Sequence, residues 1–195
     1  MKQIIKNTLV LLVITLVAGV SLACVHEVTK DPIKNAEEQA KNQAYAAVMP
    51  EAESFGELDA NISNFTFDSS VSLEEIKCAY DASGNKIGWV MSLVSSSGYG
   101  GDINIALGVK SDGTLSAMTV VSMSETAGLG AKCTSDAFTS QFSGIKAEKI
   151  EYVKDGKDAD NEIDAISGAT ITTRAVTDAV NEGLELVYTL LIPQG

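Results

Sequence analysis

The hydrophobic pattern changes period twice along the chain. From Asn7 to Val25 there is no charged residue and most side chains are apolar. A helix over Thr8–Val25 would be about 27 Å long, close to the hydrocarbon thickness of a bilayer. Beyond it the apolar positions thin to a stripe, Ile33, Ala36, Ala40, Ala44 and Ala47 or Val48, at helical spacing. Pro32 is placed to start this second helix, with Asp31 as its cap, and Pro50 ends it. Residues 51–70 show no period and read as irregular, anchored by Phe55, Phe65 and Phe67. The pattern then shortens to two. Strands are predicted over Ile76–Ala82, Lys86–Ser95, Asp102–Lys110 and Leu115–Met123, with Ile103, Ile105, Leu107 and Val109 on one face. Short Gly-containing turns joining strands in sequence predict an antiparallel meander. A short helix follows over Ser135–Phe142, with Ala137, Phe138 and Phe142 inward. Lys149–Val153 reads as a strand, and residues 154–164 as an acidic hairpin or loop. From Thr172 to Leu191 the spacing of Val176, Ala179, Val180, Leu184, Val187, Leu190 and Leu191 is helical again, with Pro193 as its stop. The expected class is α+β: an antiparallel sheet flanked by helices and preceded by one N-terminal transmembrane helix.

With 195 residues the chain has room for one domain plus an anchor. The organisation read from it is a cytoplasmic N-terminus and transmembrane anchor over 1–28, a juxtamembrane helix or stalk over 29–50, and an extracytoplasmic domain over 51–195. Lys2 and Lys6 precede the apolar run, which keeps the N-terminus in the cytoplasm of a single-pass cell-membrane protein. Two other readings compete with a retained anchor. A cleaved signal peptide has a shorter apolar core than this run. A lipoprotein signal ending at Cys24 wants a large aliphatic residue where Ser21 stands. The retained anchor fits best.

Charge narrows the functions further. The formal net charge is −12, and residues 1–30 hold Lys2, Lys6 and Lys30 against Glu27, so the acidic excess lies wholly beyond them. A domain this acidic repels a phosphate backbone, which argues against a nucleic-acid partner. Three cysteines, Cys24, Cys78 and Cys133, and the single histidine His26 leave zinc and iron–sulfur sites without their usual ligand sets. Whether Cys78 pairs with Cys133 stays open, because spacing does not bring Cα atoms together. One histidine beside the apolar run also leaves no Ser-His-Asp or Cys-His set. The acids of 154–164 lack the spacing of an EF-hand loop.

Two stretches carry candidate chemistry. The first is Asp164-Ala165-Ile166-Ser167-Gly168-Ala169-Thr170, just ahead of the last helix. Ser167 and Thr170 bring hydroxyls, and Gly168 and Ala169 let a bulky group approach the backbone. A helix start supplies unpaired N–H donors and the positive end of the dipole, where a phosphate is readily held. The plain alternative is a helix cap, a common place for Ser and Thr. The second stretch is Glu125-Thr126-Ala127-Gly128-Leu129-Gly130-Ala131-Lys132. A Gly-rich loop without Walker spacing is a weak sign of phosphate binding, and a tight strand-to-helix connection explains it equally well.

The Asp-x-x-Ser-Gly-Ala-Thr pattern resembles that of proteins carrying FMN on a threonine through a phosphoester. Four further stretches extend the resemblance over nearly the whole chain: Lys6-Asn7-Thr8, Val28–Ile33, the Gly98–Gly101 break and the Glu125–Lys132 loop. Together they are similar to the G subunit of the Rnf complex, the membrane-bound ion-translocating ferredoxin:NAD⁺ oxidoreductase. The related C subunit of the sodium-pumping NADH:quinone reductase shares both motifs but is usually longer. The family loop reads Glu-Thr-Pro-Gly-Leu-Gly, and Ala127 stands here in place of the proline.

The resemblance implies covalent FMN on Thr170, installed by a separate flavin transferase that uses FAD and Mg²⁺ and releases AMP. Asp164 is then read by the transferase or orients Thr170. The flavin phosphate would be met by the N–H groups opening the last helix, then by Arg174 and Lys132. The ring would lie against Glu125, Thr126, Gly128, Leu129 and Gly130. It also implies an electron carrier among other membrane subunits, with no substrate pocket of its own. The alternative is a stand-alone extracellular flavoprotein shuttle or reductase built on the same FMN-binding domain.

Overall fold

A computed structural model describes residues 1–154 and 156–192. Asp155, in the acidic loop, and Pro193, read as the stop of the last helix, lie outside the described residues. The chain divides into two compact units, Met1–Ala40 and Lys41–Gly195.

The first unit is helical. It holds most of α1 (Lys2–Val48), whose side chains are exposed throughout this part. By length and composition the helix can cross a membrane. It does not restart at Pro32 but runs through it. Proline removes one N–H donor, the one that would meet the carbonyl of Val28. Val28 and Pro32 are both exposed, so that carbonyl has room for another partner and the helix persists.

The second unit is built on a five-stranded antiparallel meander, in spatial order β1 (Ser54–Glu57), β2 (Val71–Tyr80), β3 (Lys86–Ser95), β4 (Ile103–Lys110) and β5 (Leu115–Met123). β3 and β5 have the bounds read from their alternation. β2 starts five residues earlier than its pattern indicates, because a register shift between Leu73 and Glu75 breaks the period of two. β1 has no alternation to detect. Its four residues become a strand only by pairing with Lys77–Tyr80 of β2.

The two sheet faces are filled differently. On one, Met91, Leu93, Ile103, Ile105, Leu107 and Val109 form the main core with α3 (Thr170–Leu186). On the other, small residues Ala79 and Ala106, with Val90, make room for Tyr45, Val48 and Met49 at and just beyond the end of α1. α3 crosses the main face at Gly183, where an added Cβ would lie 2.7 Å from Leu107 Cδ2 and 2.9 Å from both Leu93 Cδ1 and Met91 Sδ.

After the sheet come a 3₁₀ turn (Gly130–Thr134), α2 (Asp136–Thr139) and a second 3₁₀ turn (Ser140–Phe142). β6 (Glu151–Val153) and β7 (Glu162–Asp164) then pair in parallel, so the two strands do not form the hairpin that the acidic stretch suggests. α3 begins at Thr170, two residues ahead of the start read from the sequence, and Thr172 and Thr173 in its first turn are as buried as its aliphatic positions. It ends in a π turn over Val187–Leu191. Cys78 and Cys133 are both buried and free.

Candidate functional site

The turn before α3 is held from beneath. Thr173 Oγ1 accepts the N–H of Ile166 at 3.0 Å and donates to the carbonyl of Ala169 at 3.0 Å. The N–H of Ala169 closes on the carbonyl of Ile166 at 2.9 Å. Ile166 and Ala169 are thereby pinned into the core, while Ser167 and Gly168 are pushed to the surface. Gly168 has φ +78°, a conformation only glycine adopts without strain. The helix cap is Ala169, which has no side-chain acceptor to offer. Neither hydroxyl of the motif therefore serves as the cap. Thr170 is the first helical residue. Its hydroxyl makes no hydrogen bond among the described residues, and the N–H groups of Thr170, Ile171 and Thr172 have no backbone or side-chain acceptor there either.

The Glu125–Lys132 loop meets this helix start through one carboxylate. Thr172 Oγ1 donates to Glu125 Oε2 at 3.0 Å, and the N–H of Gly100 donates to Glu125 Oε1 at 3.2 Å. Glu125 is buried despite its charge. Glycine at 130 leaves room for the pair: a Cβ there would collide with Glu125 Oε2 and stand 2.6 Å from Thr172 Oγ1. Cys133, also buried, has its thiol pKa pushed up to about 11, first by burial and then by the Glu125 charge. The loop itself is a pair of tight turns, with the N–H groups of Leu129 and Ala131 both on the carbonyl of Thr126.

Between the two stretches lies a cleft of about 580 Å³, lined by Glu125, Thr126, Leu129 and Gly130 on one side and by Gly168 through Thr172 on the other, with Tyr99 at its edge. The size suits a cofactor. Its rim is unusual. Among the described residues of the second unit, the exposed large hydrophobic side chains are Tyr99, Leu129 and Ile171, and all three border this cleft. An apolar rim, a free hydroxyl and a fan of unpaired N–H donors fit FMN: a flat ring and a phosphate.

Not every residue singled out in the sequence reaches the cleft. Glu125, Thr126, Leu129, Gly130, Gly168, Ala169 and Thr170 line it, whereas Gly128, Lys132, Asp164, Ser167 and Arg174 do not. Arg174 donates from Nε to Tyr152 Oη at 3.3 Å. Asp164 is exposed in β7, and its backbone N–H donates to Gln141 Oε1 at 2.8 Å. Sequence reasoning missed Thr172, Ile171 and Tyr99. The first two belong to a Thr-Ile-Thr-Thr run that reads as ordinary helix, and Tyr99 sits in a Gly-rich break.

Comparison with known proteins defines the class first: residues 98–185 match the FMN-binding domain family, and both halves of the cleft fall inside that span. Residues 1–48 match the RnfG N-terminal region. The chain is 32% identical to the G subunit of the Na⁺-translocating ferredoxin:NAD⁺ oxidoreductase complex of Acetobacterium woodii, over 97% of this chain and 94% of that one. It is 32% identical to the proton-translocating counterpart of Clostridium ljungdahlii, over 89% and 85%. It is 31% identical to the G subunit of the ion-translocating oxidoreductase complex of Methanosarcina acetivorans, over 95% and 95%. The chain belongs to the RnfG family, the G subunits of ion-translocating oxidoreductase complexes. Among solved structures, the C subunit of the Na⁺-translocating NADH-quinone reductase from Parabacteroides distasonis aligns with a TM-score of 0.52 at 26% identity, over 62% of this chain and 63% of that one.

Proposed function

We propose that this chain is the electron-carrying subunit of a membrane-bound ion-translocating ferredoxin:NAD⁺ oxidoreductase and bears FMN esterified to Thr170. The observation that carries the reading is the unpartnered Thr170 hydroxyl, set at the first position of α3 and lining a cleft with an apolar rim. A flavin transferase would make the bond: the Thr170 oxygen joins the flavin phosphate of FAD, the pyrophosphate bond to AMP breaks, and the hydroxyl proton leaves through the transferase. Exposed Asp164 and Ser167 are the parts of the motif left for that enzyme to read.

In this reading the N–H groups of Thr170, Ile171 and Thr172 hold the phosphodiester, aided by the helix dipole. Arg174, engaged by Tyr152, contributes less. Leu129 and Ile171 pack on the ring, and Gly130 lets it approach the loop backbone. When bound, FMN supplies one- and two-electron transfer, while the protein sets its position and surroundings. We place the anchor at 1–28, the juxtamembrane helix at 29–50 and the FMN-binding domain at 51–195, outside the cytoplasm. Tethering beside the other membrane subunits raises the flavin's effective concentration at its partners.

In-gel flavin fluorescence after denaturation tests the attachment. Protein made together with the transferase glows, and Thr170→Ala is dark. A fluorescent Thr170→Ala band rejects the acceptor.

A further inference from the structure

Among the described residues Tyr99 is the one aromatic side chain lining the cleft, and it is 72% exposed. A large ring left this open in a domain that buries its other aromatics wholly or partly needs a reason. The turn that carries it is packed tightly. The N–H of Gly100 is held by Glu125 Oε1 at 3.2 Å. A Cβ at Gly100 would strike the carbonyl of Ser124, and one at Gly98 would strike the carbonyl of Gly101 and stand 2.8 Å from Glu125 Oε1. Glycine at 100 lets the turn lie against the Ser124–Glu125 backbone, and glycine at 98 lets it close on the Gly101 carbonyl beside the Glu125 carboxylate. The Glu125 carboxylate that fixes this turn also fixes Thr172 in the first turn of α3. One buried side chain thus sets the distance between Tyr99 and Thr170.

We propose that Tyr99 is a flavin-contacting residue: its ring stacks on the isoalloxazine of the FMN carried by Thr170, with Glu125 as the residue that positions it. The inference rests on the reading of Thr170 as the FMN acceptor. It extends the site to the Gly98–Gly101 turn, which supplies the third wall beside Leu129 and Ile171. A planar, electron-poor flavin and an electron-rich phenol are suited to stack. Contact has a spectroscopic consequence. On excitation the phenol passes an electron to the flavin and the electron returns, so nothing is consumed and emission is quenched.

The test compares the native full-length protein, matured with its transferase in detergent, with Tyr99→Phe and Tyr99→Ala. Emission is normalised to flavin absorbance, and each sample is also measured in denaturant. Phenylalanine keeps the flat ring but does not donate the electron. Both variants should emit severalfold more strongly than wild type when native, and all three should be equal once unfolded. Equal native emission from wild type and Tyr99→Phe overturns the proposal, and if Tyr99→Ala does not fold, Tyr99→Phe alone decides. Mass analysis of peptide 158–174 separates the two failures. FMN present with unchanged emission rejects Tyr99 alone, and FMN absent rejects the acceptor reading and this inference with it.

Discussion

Thr172 Oγ1 and Glu125 Oε2 lie 3.0 Å apart, buried, and join segments 47 residues apart in sequence. A buried carboxylate is tolerated only while its oxygens are met by donors. Here one donor comes from α3 and one from the Gly98–Gly101 turn. Thr172→Val keeps the shape and removes the first donor. It should cost about 1–3 kcal/mol, the penalty for stripping a partner from a buried charged acceptor. Thr172→Ser should lie close to wild type. Urea midpoints of the two variants check this, and equal midpoints would mean the hydrogen bond contributes nothing.

Gly183 faces the centre of the sheet. Two effects compete in Gly183→Ala. Helix propensity favours alanine by roughly 1 kcal/mol. Against it, the new methyl would sit 2.7–2.9 Å from three side chains, well inside van der Waals contact. Overpacking of this kind costs about 1–3 kcal/mol. Because all three neighbours are themselves fully buried and have little room to shift, packing should win and Gly183→Ala should lower the melting temperature. Gly183→Val should lower it further.

Asp178, on α3, has its carboxyl pKa raised, first by desolvation and also by the Asp68 charge, with Arg174 and Lys149 acting the other way. A carboxyl whose folded pKa exceeds its unfolded value binds protons more tightly when folded. Ionising it therefore works against folding above both values, and below both it has no effect. Asp178→Asn should stabilise the protein at pH 7, and the gain should shrink towards zero as pH falls below the ordinary carboxylate range. Melting curves of both proteins across that range check the sign. A gain that grows on acidification would contradict it.

The parts of the fold that sequence reveals are those with a local signal. The strict alternation of Ile103, Ile105, Leu107 and Val109 marks β4 without reference to its neighbours, and the spacing of Val176, Ala179, Val180 and Leu184 marks α3. β1 exists through its pairing with β2, and the start of β2 is hidden by a bulge, so neither has a period to read. Pro32 carries a true local preference for a helix start, but here the helix passes through it. At the site, the two motifs are visible as strings and the structure brings them to one cleft. What the strings do not reveal is direction. Glu125 reads as a contact for a ligand, and while it lines the cleft, its oxygens already accept from Thr172 and Gly100. Arg174, one turn beyond Thr170, reads as a phosphate ligand, yet it reaches to Tyr152. Tyr99 reads as part of a break, since nothing in a Gly-Tyr-Gly-Gly string shows which wall it faces.

The covalent state of Thr170 tests most directly the proposal that this domain carries its FMN on that residue. Trypsin cuts after Lys157 and Arg174, releasing residues 158–174 as one peptide with the whole Asp164–Thr170 motif inside it. Taken from native membranes, that peptide should weigh its amino acids plus FMN less one water, and fragmentation should place the added mass on Thr170. A peptide of unmodified mass, or the addition on Ser167, would contradict the account.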